Sequence, residues 1–158
     1  MERLPITKQG YERLQLQLER MKGPDRRQVA AEIEEARSHG DLRENADYDA
    51  AKEKQGMLEA SIRLLESQLA RAQIIDIAEQ GGERVVFGAT VTLLDIDKDE
   101  ERIFKLVGEA EANPDDGLIS IASPVARALL GKECGDVAEV RVPNGLRSYE
   151  VIEIEFIV

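Results

Sequence analysis

Ser38-His39-Gly40-Asp41-Leu42-Arg43-Glu44-Asn45-Ala46-Asp47-Tyr48 decides the fold, because a helical apolar repeat runs up to it and another leaves it. Beyond it, Leu58, Ile62, Leu65, Leu69 and Ala72 recur at intervals of 4, 3, 4 and 3, the a/d seam of a coiled coil. Before it, Tyr11, Leu14, Leu18 and Met21, then Val29, Ile33 and Ala36, form the matching stripe. Two stripes that need each other, joined by a short polar turn, predict an antiparallel helical hairpin with Asp41 and Glu44 at its far end.

The first arm has its own start and stop signals. Thr7 is placed to cap it, Ile6 to staple onto Tyr11, and Gly40 to take the left-handed position that ends it. Gly23-Pro24 interrupts the seam, and a proline inside a helix removes a donor and crowds the preceding turn, so a local irregularity is expected there. An arm of roughly 30 residues spans about 45 Å, further than packing on a small core requires. A rod of that reach with acid at its tip is suited to entering another molecule.

The pattern changes after Asp76. Gln80-Gly81-Gly82-Glu83 breaks the helical period, and β-rich runs follow at 85–94, 102–107, 118–121, 137–142 and 148–158, with one short helix over 124–130 between the third and fourth. Pro124 suits that helix's first turn and Gly131 its end. The expected fold class is α+β: an N-terminal coiled-coil hairpin over 1–76 and a small α+β domain over 77–158.

Charge and cysteine content narrow the partners. The 158 residues carry a net charge of −11, which disfavours sequence-independent binding to a duplex. Residues 1–76 hold 13 basic and 15 acidic side chains, whereas 77–158 hold 8 and 17. The rod is therefore nearly neutral and able to carry basic patches, while the second domain is repelled by nucleic acid. The single cysteine, Cys134, excludes an internal disulfide, and the opening Met1-Glu2-Arg3-Leu4-Pro5 reads as neither signal peptide nor membrane anchor, so the expected location is cytoplasmic.

The tip carboxylates admit two readings. Asp41 followed by Glu44 has the spacing of a capping box, which would start the second helix. The same spacing lets two carboxylates converge on one hard cation, with the remaining ligands supplied by another molecule. Glu44, Tyr48 and Lys52 follow at four-residue steps, so Lys52 is a candidate for an RNA phosphate and Tyr48 for stacking on a base or for packing. Arg37, Arg43, Lys52 and Lys54 form either a basic patch leading to the tip or a solvated, acid-paired face. His39, the only histidine, reads as incidental.

Three ordered stretches carry a resemblance: 5–14 (PITKQGYERL), 36–52 (ARSHGDLRENADYDAAK) and 123–132 (SPVARALLGK). Together they resemble bacterial transcript cleavage factors of the Gre family, and the likeness spans the whole chain. It implies an FKBP-like C-terminal domain that binds bacterial RNA polymerase, with Ser123 and Pro124 in the contacting region. It also implies a coiled coil that enters the secondary channel and stimulates cleavage of backtracked RNA at the nascent 3′ end. Asp41 and Glu44 would then be the catalytic and metal-contacting pair, sharing Mg that the polymerase mainly holds. Arg37, Arg43, Tyr48 and Lys52 would contact RNA or channel. Arg43 departs from the small polar or lysine residue more common in such factors. The chain would act as a monomer with no membrane partner, as an activator of the polymerase's own activity.

Alternatives from other classes are an inhibitor of the same fold, a plain coiled-coil adaptor and a peptidyl-prolyl isomerase. The last requires an aromatic-lined pocket, for which 77–158 offers only Phe87, Phe104, Tyr149 and Phe156 and no tryptophan.

Overall fold

Lys8 to Arg37 is helical in three joined stretches: α1 (Lys8–Arg20), a π-helical turn (Met21–Asp25) and α2 (Arg26–Arg37). The computed structural model describes residues 2–40, 45–79 and 81–157. The π turn is the irregularity expected at Gly23-Pro24. Pro24 has no N–H to give and its ring crowds the carbonyl one turn back, and the wider π turn accommodates both without ending the helix.

The second arm is one continuous helix, α3 (Ala46–Ala70). Inter-arm ion pairs set the direction and register: Lys22 Nζ to Glu66 at 3.3 Å, Arg26 Nη2 to Glu59 at 2.8 Å and Lys54 Nζ to Glu32 at 3.0 Å. As the first-arm number rises from 22 to 32 its counterpart falls from 66 to 54, which only antiparallel arms produce. Leu14, Met21, Val29, Ile33 and Ala36 are buried on one arm, and Ala51, Ile62 and Leu65 on the other, so the expected seam is observed as far as the end of α3 and does not include Ala72. It extends further toward the tip than the leucine spacing indicated, through Ala51 and Tyr48, which pack with Val29 and Ile33.

The division into compact units differs from a boundary at residue 76. One unit is Glu12–Arg71; the other combines Met1–Tyr11 with Ala72–Val158. The reason is a pairing between distant segments. β1 (Leu4–Thr7) lies parallel to β2 (Ala72–Ile75), with Leu4 opposite Ala72 and Thr7 opposite Ile75. Parallel neighbours need a long crossover, and here the entire hairpin is that crossover. Ala72 therefore belongs to a strand and not to the helical seam.

The five-stranded sheet runs in the order β5-β4-β3-β7-β6: β3 (Thr90–Asp95), β4 (Glu100–Val107), β5 (Leu118–Ser120), β6 (Val137–Val142) and β7 (Gly145–Glu155). Only β4 and β5 pair in parallel. Val91, Leu93, Leu106, Ala138, Val140, Tyr149 and Val151 form the core with Ala126 and Leu129 of α4 (Pro124–Leu129). The apolar run from Val85 becomes a strand only at Thr90, because Gly88 takes φ +86 and turns the chain first. Asp95 is buried at the end of β3, its Oδ1 accepting from the backbone of Asp97 and Lys98 at 3.1 and 3.2 Å, with Arg147 at 3.6 Å from Oδ2.

Glu111 ties β1 and the first turn of α1 into this unit. Its carboxylate is 4% exposed and accepts from Thr7 N and Gly108 N, both at 2.9 Å, and from the Thr7 hydroxyl. The Thr7 oxygen in turn accepts from Gly10 N at 3.0 Å, the cap expected of it.

Candidate functional site

The hairpin tip is built from the end of α2, the start of α3 and the residues between. Ser38 closes α2, and Gly40, at φ +104, occupies the left-handed position that stops it. α3 starts at Ala46 with Asn45 as its N-cap: Asn45 Oδ1 accepts from Tyr48 N at 3.1 Å. The same side chain donates from Nδ2 to the Ala36 carbonyl at 2.6 Å, so it satisfies the end of one helix and the beginning of the other.

Asp41, Arg43 and Glu44 lie outside the described residues. The helix-starting role weighed for Asp41 is filled for α3 by Asn45, which sequence reasoning overlooked. The available signal was an asparagine immediately before a helical run, masked by the more conspicuous Asp-x-x-Glu spacing.

The other expected residues separate by environment. Arg37 is exposed and pairs with Glu34 at 3.2 Å on its own helix. Lys52 is exposed and donates to Gln55 at 3.0 Å, while Lys54 crosses the hairpin to Glu32. Tyr48 is half-buried against the Val29–Ile33–Ala51 cluster, the packing alternative, so it does not share an exposed face with Lys52. His39 Nδ1 stands 3.6 Å from Asp47 Oδ2. Between the arms near the tip is an open groove of about 310 Å³ whose charged lining is Glu32, Glu35, His39, Asp47 and Lys54. Its mixed charge and openness suit contact with a larger polar surface better than an enclosed apolar ligand.

Among the described residues no group of three or more His, Cys, Asp or Glu side chains is placed to hold a metal ion, and no helix is long and apolar enough to cross a membrane. In the sheet unit, Ser123 Oγ accepts from Ala126 N at 3.3 Å and caps α4, leaving Pro124 exposed beside it. Tyr149 is buried in the core, and Phe104 and Phe156 pack against it.

Sequence comparisons with known proteins cover both parts of the chain. Residues 4–74 match the family described as transcription elongation factor, N-terminal, and residues 79–156 the family described as transcription elongation factor, GreA/GreB, C-term. Transcription elongation factor GreA of Hyphomonas neptunium is 53% identical over 156 residues, covering 99% of each chain. That of Phenylobacterium zucineum is 50% identical over 157 residues, 99% of this chain and all of the relative. Among solved structures, the GreA factor homolog 1 (Gfh1) protein of Thermus thermophilus is 36% identical, covers 98% of this chain and 99% of its own, and gives a TM-score of 0.45. With half of its residues identical to such factors along nearly its full length, the chain belongs to the GreA/GreB family of transcription elongation factors.

Proposed function

We propose that this protein enters the secondary channel of bacterial RNA polymerase and stimulates the polymerase's own Mg-dependent cleavage of backtracked RNA. The observation that carries the reading is the construction of the tip. A 25-residue helix, roughly 37 Å long, is joined to its antiparallel counterpart at a tip where Asn45 caps the start of α3 and donates to the Ala36 carbonyl near the end of α2. Because α3 takes its cap from Asn45, the acidic pair preceding it is read as serving another molecule.

Asp41 and Glu44 are hard oxygen donors suited to Mg, but two carboxylates make an incomplete site. They would supplement an ion whose other ligands belong to the polymerase. Mg bound in such a site would supply Lewis-acid activation of water and stabilise the developing charge of phosphodiester hydrolysis. The chain is then an activator and not an enzyme by itself. Arg37, Arg43 and Lys52 would meet RNA phosphates or channel wall; exposed pairs such as Arg37–Glu34 are weak enough to exchange for a phosphate. The exposed edge at Ser123 and Pro124 would contribute to docking on the polymerase.

The test is Asp41→Asn and Glu44→Gln on stalled polymerase holding backtracked RNA. Each should lower stimulated cleavage by about 100-fold or more, the scale of removing a group that orients the reacting centre, with polymerase affinity within a few fold. Added Mg should partly restore both by mass action. If Asp41→Asn cleaves at the wild-type rate, the carboxylate role is wrong. If the wild-type chain binds and inhibits without stimulating cleavage, it is a channel-occupying inhibitor.

A further inference from the structure

We propose that the open face of the five-stranded sheet is a docking surface for another protein: it seats an amphipathic helix that carries Lys or Arg on either side of an apolar stripe. The register defines this face. α4 packs on the side of Val91, Leu93 and Val151, so the alternate residues of the same strands point the other way. From β6 through β7 and β3 to β4, one outward row reads Val137, Glu150, Leu94, Glu101. The next row pairs Glu153 with Thr92 and Thr92 with Ile103. Ile152 joins it because the register shift between Thr92 and Leu93 gives β7 one residue more than β3. The face is separate from the Ser123–Pro124 edge, since α4 lies on the other side of the sheet.

This face is apolar where a solvated one is polar. A sheet covered on one side ordinarily turns polar residues to water, yet Ile103, Leu146, Val137 and Ile152 are each 43–61% exposed. Apolar side chains gathered on one surface and rimmed by charge mark a protein contact. Four strands about 4.8 Å apart make a face about 15 Å wide, enough to seat one helix of about 10 Å diameter.

The charge selects the partner. Glu139 and Glu155 share the face with Glu101, Glu150 and Glu153, and among the described residues none of these five carboxylates is ion-paired. In the hairpin, by contrast, Glu32, Glu59 and Glu66 each hold a cation. Arg141 and Lys105 are the basic residues of the face, and Lys105 donates to the Ile157 carbonyl. A hydrogen bond to Glu155, with the repulsion between the two charges, holds the Glu153 carboxyl above its ordinary value. A cation supplied from outside relieves that repulsion. A second copy would set like charge against like, and nucleic acid would bring phosphates, so the face disfavours both. A basic amphipathic helix meets both features, with its stripe on the isoleucines and its cations on the glutamates.

The experiment titrates the full-length protein with three helical peptides of about 18 residues, roughly 27 Å long: a Leu stripe flanked by Lys, the same stripe flanked by Glu, and a Lys-flanked helix with Ser replacing Leu. Calorimetry at about 0.15 M salt reads affinity, and backbone chemical shifts read location. The Lys/Leu peptide should bind at least about ten-fold more tightly than either control and shift Thr92, Ile103 and Ile152 in preference to Ala126. Ile103→Thr and Ile152→Thr keep a β-branched residue in an exposed strand position and should each weaken it about three-fold or more. Glu153→Gln with Glu155→Gln should weaken it about three-fold and flatten its salt dependence, whereas Glu59→Gln with Glu66→Gln removes as much charge from the hairpin and should leave it unchanged. No binding of the Lys/Leu peptide overturns the proposal. Equal binding of the Ser peptide, or equal losses in the two double variants, also overturns it, since the contact would then be diffuse charge. So does undiminished binding in the isoleucine variants; should one fail to fold, the other decides. Self-association of the wild type that Ile103→Thr abolishes would give the face to a second copy instead.

Discussion

The hairpin and the sheet unit are held by different physics. In the sheet unit Val85, Val91, Leu93, Leu106, Leu129 and Val151 are fully buried in one cluster that strands and helix enclose from several sides. Among the described residues of the hairpin the buried apolar side chains lie along the inter-arm seam, and the pairs Lys22–Glu66, Arg26–Glu59 and Lys54–Glu32 cross it in solvent. The difference shows that a dense core defines the sheet unit, whereas the long hairpin is defined by register, caps and length. Sequence changes should therefore damage stability in one unit and geometry in the other.

The largest effect tests geometry alone. Removing one heptad from each arm at facing positions keeps a/d packing but shortens the hairpin by about 10 Å. Stimulated cleavage should vanish while circular dichroism still reports a folded coiled coil and the protein competes with wild type for polymerase. Undiminished cleavage by a folded, shortened protein would show that reach is irrelevant.

Core truncations come next. Leu129→Ala in the sheet unit should cost about 2–5 kcal/mol, read by chemical denaturation, because its cavity is walled on all sides. Ile62→Ala in the hairpin, equally buried at 1% exposure, should fall near the low end at about 2 kcal/mol, since two helices can close over the gap. Equal costs would contradict the contrast drawn between the two units.

Asn45 gives a smaller and more diagnostic change. Asn45→Ala should destabilise the tip by about 1 kcal/mol. Asn45→Asp keeps the cap acceptor for Tyr48 N and loses the donor to Ala36, so it separates the two hydrogen bonds. Faster exchange at Tyr48 N in Asn45→Ala but not in Asn45→Asp would assign the capping effect to the Oδ1 contact.

The smallest effect is a pH response of opposite sign in the two units. The bidentate hydrogen bond from Arg26 holds the Glu59 carboxyl below its ordinary value of 4.5, so its support for the hairpin is present above 4.5 and lost as pH falls through the lower, folded value. On β7 the hydrogen bond to Glu155, with the repulsion between the two charges, pushes Glu153 above 4.5. Protonation there comes first and favours the folded sheet. Local hydrogen exchange on lowering pH should show β7 firming before the hairpin loosens, with the hairpin part fading between about 0.1 and 1 M salt as the Debye length falls from about 10 to 3 Å. Loosening of both units together would remove the distinction.

How much was legible depended on how local the cause was. Periodicity revealed both arms because a helix places i, i+3 and i+4 on one face regardless of what it meets. It revealed α4 as well, through Ser123 and Pro124 at its first turn. The irregularity at Gly23-Pro24 follows from a missing donor and was visible for the same reason. The tip was half legible: Gly40 announced the stop, while the Asn45 cap was obscured by the more conspicuous Asp41-x-x-Glu44 spacing and its second bond, to Ala36, left no local signal.

The sequence by itself determined the hairpin, the change to β-structure after it and the acidic turn, since each follows from spacing and residue chemistry within a few turns of chain. Only the tertiary structure decided that β1 pairs with β2 across the whole hairpin, that residues 1–11 group with the sheet, and that Glu111 receives Thr7 from 104 positions away. Those contacts join segments whose local patterns carry no trace of each other. Parallel pairing and a buried carboxylate become favourable only once the intervening chain has folded and brought their donors and acceptors together.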